Sequence, residues 1–164
     1  MASRRAEMSR YQRVLEDFAK SRVGGWYYVN VAGKIDPFIL RATKGRVSLS
    51  PGASVMLLRT IGAKSGRPRD TALLFARDGN RIILIASKAG NPHHPAWYHN
   101  LKAHPEVEVL APRLSGRYVA TEVTDDAERA RLWAIASSRY AGYDSYQQRT
   151  GGRRIPVVVL SPAA

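Results

Sequence analysis

Ten consecutive residues, Thr60-Ile61-Gly62-Ala63-Lys64-Ser65-Gly66-Arg67-Pro68-Arg69, hold three cations, two glycines and two hydroxyls. That mixture suits anion binding. Glycine permits positive φ and close backbone approach, so successive N–H groups can turn toward one oxyanion. Lys64, Arg67 and Arg69 would neutralise a phosphate or carboxylate through charge-assisted hydrogen bonds, with Ser65 as a further donor. A solvated basic hairpin loop is the other reading of the same residues. Ala86-Ser87-Lys88-Ala89-Gly90-Asn91 repeats the logic after an apolar run: Lys88 brings charge, Ser87 and the backbone bring donors, and Gly90 leaves room. A third group is Tyr140, Tyr143 and Tyr146. Spacing by three sets the rings along one side of a turn. Their hydroxyls could donate to a carbonyl or nitro oxygen in an apolar pocket, or the rings could simply pack against a sheet.

Other chemistries lack their residues. The chain has no Cys, which removes disulfides, thiol nucleophiles and thiolate metal sites. Its four histidines, His93, His94, His99 and His104, form no HExxH, so no metal site is expected. GxSxG, GxGxxG and GxxxxGK[ST] are all missing, which argues against a serine hydrolase, a Rossmann site and a Walker site. Asp125 and Asp126 read as helix-start residues rather than catalytic acids.

Short strands must carry these loops. Strands are expected over 55–60, 71–77, 81–86, 107–110, 117–123 and 155–160, with Asp78-Gly79-Asn80 as a hairpin turn. Helices are expected over 9–22, 95–103 and 125–138, the last with Asp125 and Glu128 at capping-box spacing. Residues 34–46 read as a helical piece broken near Pro37. Six strands without βαβ alternation predict a mainly β fold with flanking helices, its antiparallel sheet curled or closed into a small barrel. The two basic loops follow the first and third strands. In a hairpin arrangement those ends share one side of the sheet, which points to one extended anionic ligand.

The 164 residues fit one domain with a real core, 45% of them being hydrophobic. A net charge of +13 attracts anionic partners: nucleic acid, an anionic membrane surface or an acidic small molecule. The cations cluster in loops rather than along a strand face, so nucleic acid is not the expected partner. The basic N-terminal stretch lacks an apolar h-region and no apolar run is long enough to span a bilayer. The expectation is therefore cytoplasmic, with peripheral contact at the inner face of the cell membrane left open.

Three stretches, in order, carry a family resemblance: LLRTIGAKSGRPRDTALLF from Leu57, DGNRIILIASKAGNPHHPAWYHNLKAHPEVEV from Asp78 and RYAGYDSYQQRTGGRRIPVVVL from Arg139. With the helix between them, they resemble the deazaflavin (F420)-dependent nitroreductases, also described as F420H2-dependent quinone reductases. The resemblance implies a split β-barrel related to flavin-mononucleotide-binding oxidoreductases. It implies coenzyme F420, reduced, as hydride donor to a quinone-like or nitroaromatic acceptor. By resemblance, Lys64, Ser65, Arg67 and Arg69 hold its phosphate and acidic tail. Ser87, Lys88 and Ala89 lie along the phosphate, ribityl chain and ring edge, with Trp97 and Asn100 near the pocket. Tyr140, Tyr143 and Tyr146 fall where the family has tyrosines that contact the acceptor. Residues 1–50 would border the substrate pocket and residues 51–164 would form the cofactor-binding barrel, in a chain that could pair as a homodimer. Ala63 departs from the pattern, since the family commonly has Arg there; Arg59 and Arg67 lie nearby. The alternatives are a non-enzymatic carrier of a deazaflavin or another flavin- or haem-like ligand, and a basic nucleic-acid-binding barrel.

Overall fold

The computed structural model describes residues 33–50 and 53–163; the helix expected over 9–22 lies outside them. Seven strands form one sheet: β1 (Val55–Ile61), β2 (Pro68–Leu74), β3 (Ala76–Asp78), β4 (Arg81–Ile85), β5 (Glu106–Leu110), β6 (Gly116–Glu122) and β7 (Val157–Pro162). Their spatial order is β2-β1-β5-β6-β7-β4-β3, and every pairing is antiparallel. Among the described residues, four α-helices accompany them: α1 (Gly33–Ala42), α2 (Ala96–Ala103), α3 (Asp126–Arg139) and α4 (Gly142–Arg149).

The order itself demands a barrel. β2 and β3 stand at opposite edges of the sheet, yet only Phe75 separates them in the chain. The sheet must therefore curl until its edges nearly meet. This corrects the single strand expected over 71–77. The ladder breaks at Phe75, whose N–H donates to Ser54 O at 3.1 Å instead of to a strand partner. Stepping antiparallel from β1 through β5, β6 and β7 leaves β4 running parallel to β1. The loops after β1 and β4 thus leave the same end of the barrel, as expected.

Side-chain periodicity explains the core. β5 reads Glu-Val-Glu-Val-Leu and buries only its valines, a strand with one face in water. β4 from Ile82 to Ile85 and β7 from Val157 to Leu160 are apolar without alternation because both of their faces are covered. Ile82, Leu84, Val158 and Leu160 join Met56, Leu58, Val107 and Val109 in the barrel interior. Ile83, Ile85, Val157 and Val159 pack outward against Leu132 and Ala136 of α3 and Tyr143 and Tyr146 of α4.

Local signals set the helix ends. Asp125 caps α3, its carboxylate accepting from Glu128 N at 2.7 Å. Asp78 and Glu128 both pair with Arg81 and Arg131, which ties α3 to the β3–β4 hairpin. The expected break at Pro37 does not occur: α1 runs through it. Pro37 sits in the second turn, where its ring removes one backbone donor and the helix continues. Arg41 of α1 pairs with Asp70 of β2 and fixes the helix over that edge. Among the described residues, no helix is long and apolar enough to cross a membrane.

Candidate active site

The curled sheet leaves a cavity of about 390 Å³. β2 contributes Thr71, Ala72, Leu73 and Leu74; the end of β4 contributes Leu84 and Ile85. Ser87, Lys88 and Ala89 form the next part of the wall, followed by Pro95, Ala96 and Trp97 at the start of α2. Tyr140, Tyr143 and Tyr146 complete it with Asp36, Ser50 and Val55. Seven of the sequence-derived candidates therefore share one space.

The tyrosines belong both to the core and to the cavity. Tyr140 and Tyr146 share a hydrogen bond between hydroxyls at 2.6 Å, and the Tyr140 and Tyr143 rings meet edge-on at 5.1 Å. Burial, and then the neighbouring Tyr146, pushes the Tyr143 phenol well above its ordinary range, so it stays protonated at neutral pH. Asp144 fixes this helix against α3 by accepting from Trp133 Nε1 at 2.7 Å and Ser137 Oγ at 3.1 Å.

After Ser87, the chain turns in the left-handed region. Lys88, Ala89 and Gly90 have φ of 48°, 54° and 80°. Gly90 is needed for a second reason: a Cβ there would lie 3.0 Å from Tyr146 O, so the loop packs directly on α4. Gly90 N donates to Ser87 O and Asn91 N to Lys88 O, each at 3.1 Å. The Lys88 and Ala89 N–H groups have no acceptor among the described residues.

Lys64, Ser65, Arg67 and Arg69 do not line the cavity. Lys64, Ser65 and Arg67 sit exposed on the β1–β2 hairpin loop and Arg69 is exposed at the start of β2, at the end of the barrel shared with the Ser87–Gly90 loop. The loop closes on itself through Gly62 N to Arg67 O at 2.9 Å and Gly66 N to Gly62 O at 2.8 Å. The side chains of Lys64, Arg67 and Arg69 have no ion-pair partner among the described residues. Arg59 does not replace the cation missing at Ala63. It is held by Asp70 at 2.9 Å and lies 3.6 Å from Glu108.

Asn100 stands behind the loop, not in the cavity wall. Its Nδ2 donates to Thr60 Oγ1 at 2.9 Å and its Oδ1 accepts from Ala63 N at 3.0 Å. One turn earlier on the same face of α2, Trp97 lines the cavity, so α2 spans the two sites. Asn100→Leu would remove the bond that the buried Thr60 hydroxyl accepts and leave the Ala63 N–H without its acceptor. We expect a loss of about 2–3 kcal/mol, read as a fall in Tm of roughly 5–10 °C. A melt within a degree of wild type would show that this amide does not hold the hairpin.

Asp36 escaped sequence reasoning. It is 2% exposed, lines the cavity and accepts from Leu49 N at 2.6 Å. Desolvation pushes its carboxyl up, and the Leu49 N–H offsets part of that. No local pattern marks it, since an acid in the first turn of a helix is ordinarily a dipole partner.

Comparison with known proteins gives a consistent picture. A family model described as F420H(2)-dependent quinone reductase matches residues 34–162. An F420H(2)-dependent quinone reductase of Mycobacterium tuberculosis is 46% identical over 127 residues, which cover 75% of this chain and 85% of the relative. A solved F420-H2 dependent reductase is 35% identical with a TM-score of 0.57, covering 65% of this chain and 93% of that one. Another solved chain, described as a domain-swapped dimer, is 36% identical with a TM-score of 0.59, covering 65% and 79%.

Proposed function

Since the chain belongs to the F420H(2)-dependent quinone reductase family, we propose that its cavity and flanking basic loop together bind reduced coenzyme F420 and deliver its hydride to a quinone-like or nitroaromatic acceptor. The carrying observation is the presence of two distinct surfaces on one barrel. One is a largely apolar cavity with phenols in its wall. The other is an exposed basic hairpin whose cations have no ion-pair partner among the described residues. A ligand with a flat ring at one end and an acidic tail at the other matches both, and F420 is such a molecule.

When bound, reduced F420 supplies a hydride, and a quinone that accepts it also takes up one proton to become the hydroquinone. The chain's own residues do the rest. Lys64, Arg67 and Arg69, with Ser65, hold the phosphate and acidic tail. The free N–H groups of Lys88 and Ala89 suit an oxyanion or ring carbonyl. Trp97 and the apolar residues of β2 and β4 keep water from the reacting face. Protonated tyrosine hydroxyls stabilise negative charge developing on the acceptor oxygen. Asp36 and Ser50 bring the segment before residue 51 into the wall. We assign that segment to the acceptor side and residues 51–164 to the cofactor-binding barrel. A second copy of the chain is an expected partner, on the example of the solved relative described as a dimer.

Equilibrium binding of oxidised F420, followed by Trp fluorescence with flavin mononucleotide run alongside, tests the reading. Micromolar or tighter F420 binding is expected, with much weaker binding of the mononucleotide, which lacks the acidic tail. Turnover of reduced F420 with a quinone should follow. Equal affinity for both would mean that the basic loop does not select the cofactor.

A further inference from the structure

The Ser87–Gly90 turn carries left-handed conformations at Lys88 and Ala89, where a side chain makes that region unfavourable. Something must hold it. Arg153, on the segment between α4 and β7, reaches across 66 residues to do so. Its Nη2 donates to Ser87 O at 2.9 Å and to Asn91 O at 2.8 Å. Its Nη1 donates to Ala86 O at 3.2 Å and lies 3.1 Å from His94 Nδ1. The guanidinium thus grips both ends of the turn. No carboxylate is among its partners in the described residues. Every group it holds is a neutral acceptor, provided that His94 is unprotonated, and desolvation together with Arg153 itself keeps the His94 pKa low. Its own backbone is anchored to α4, since Arg153 O accepts from Gln147 Nε2 at 2.8 Å and Thr150 Oγ1 at 2.7 Å.

We propose that Arg153 is the positioning residue of the cofactor site: by binding the carbonyls on either side of the turn, it holds Lys88–Gly90 left-handed and leaves the Lys88 and Ala89 N–H groups available to the ligand. The inference rests on the cofactor reading above. With Ala86 O, Ser87 O and Asn91 O held in place by Arg153, these carbonyls cannot be reoriented toward the Lys88 and Ala89 N–H groups. The planar fork matters, because three donor nitrogens in fixed geometry, with Nε also donating to Asn91 O at 3.1 Å, reach acceptors that a single ammonium cannot reach together.

Arg153→Met and the milder Arg153→Lys test this in two ways. In the protein without ligand, amide exchange of Gly90 and Asn91 should speed up in both, more in the Met variant. F420 binding should weaken by about 10- to 100-fold in Arg153→Met, with an intermediate loss in Arg153→Lys, while kcat at saturating cofactor changes far less. Faster exchange with unchanged affinity would overturn the proposal, because the turn would then be held without consequence for the ligand. Weaker binding with unchanged exchange would overturn it too, since Arg153 would then act on the ligand directly. If the wild type itself fails to bind F420, the cofactor reading falls, and the exchange comparison alone decides whether Arg153 holds the turn.

Discussion

Replacing Lys64, Arg67 and Arg69 together with Ala is expected to weaken F420 binding by roughly 100-fold and to leave the fold untouched. At exposed sites each charge contributes on the order of 1 kcal/mol, and three add to about two decades in Kd. The unchanged stability is the sharper half. None of the three side chains has an ion-pair partner among the described residues, so nothing in the fold is orphaned by their loss. Removing three like charges from a chain of net charge +13 also relieves self-repulsion. The loop's shape comes from its backbone bonds between Gly62, Gly66 and Arg67, which the substitutions leave in place. Added salt should weaken wild-type binding more than that of the triple variant. Titration of F420 against both proteins, with a melt of each, reads all of this. A Kd within about threefold of wild type would move the acidic tail off this loop.

Tyr143→Phe should cost about 100-fold in kcat with saturating cofactor, the second large effect. The three tyrosines share the cavity but differ in what their hydroxyls already do. Tyr140 and Tyr146 are bonded to each other at 2.6 Å. The Tyr143 hydroxyl has no hydrogen-bond partner among the described residues, although the ring is buried and lines the cavity. A phenol held protonated, with its donor uncommitted, is the group best prepared for an acceptor oxygen. Its loss should leave Tm close to wild type, because no bond within the chain is broken. Tyr140→Phe and Tyr146→Phe should slow turnover by less, since each leaves a hydroxyl in the pair. Single-turnover oxidation of bound, reduced cofactor by a quinone separates the three. If Tyr143→Phe turns over at the wild-type rate, the proton and the oxyanion stabilisation come from elsewhere, and Asp36 becomes the next group to test.

Much of the architecture was legible because its causes are local. The α3 cap needs only Asp125 and Glu128, three residues apart. The β3–β4 turn needs only Gly79 and its neighbours, and the valines of β5 alternate within five residues. The break at Phe75 was not legible. Apolar residues run through it without interruption, and only the meeting of the two sheet edges makes the ladder change partners there.

The site divides in the same way. Residue types alone pointed to both basic loops, the tyrosine triplet and an anionic ligand, because charge, glycine freedom and phenol chemistry are properties of the residues themselves; the ring-bearing cofactor came from the family resemblance. Which of those groups are free to meet a ligand was decided in three dimensions. Arg59 is adjacent in sequence to the anion loop but is engaged by Asp70 across the β1–β2 ladder. Asn100 supports that loop from 37 residues away, and Arg153 reaches the second loop from 66 residues away. Asp36 enters the cavity only because α1 lies over β2. Hydrogen bonds and burial between residues so far apart depend on how the sheet curls, and no local pattern in the chain encodes that.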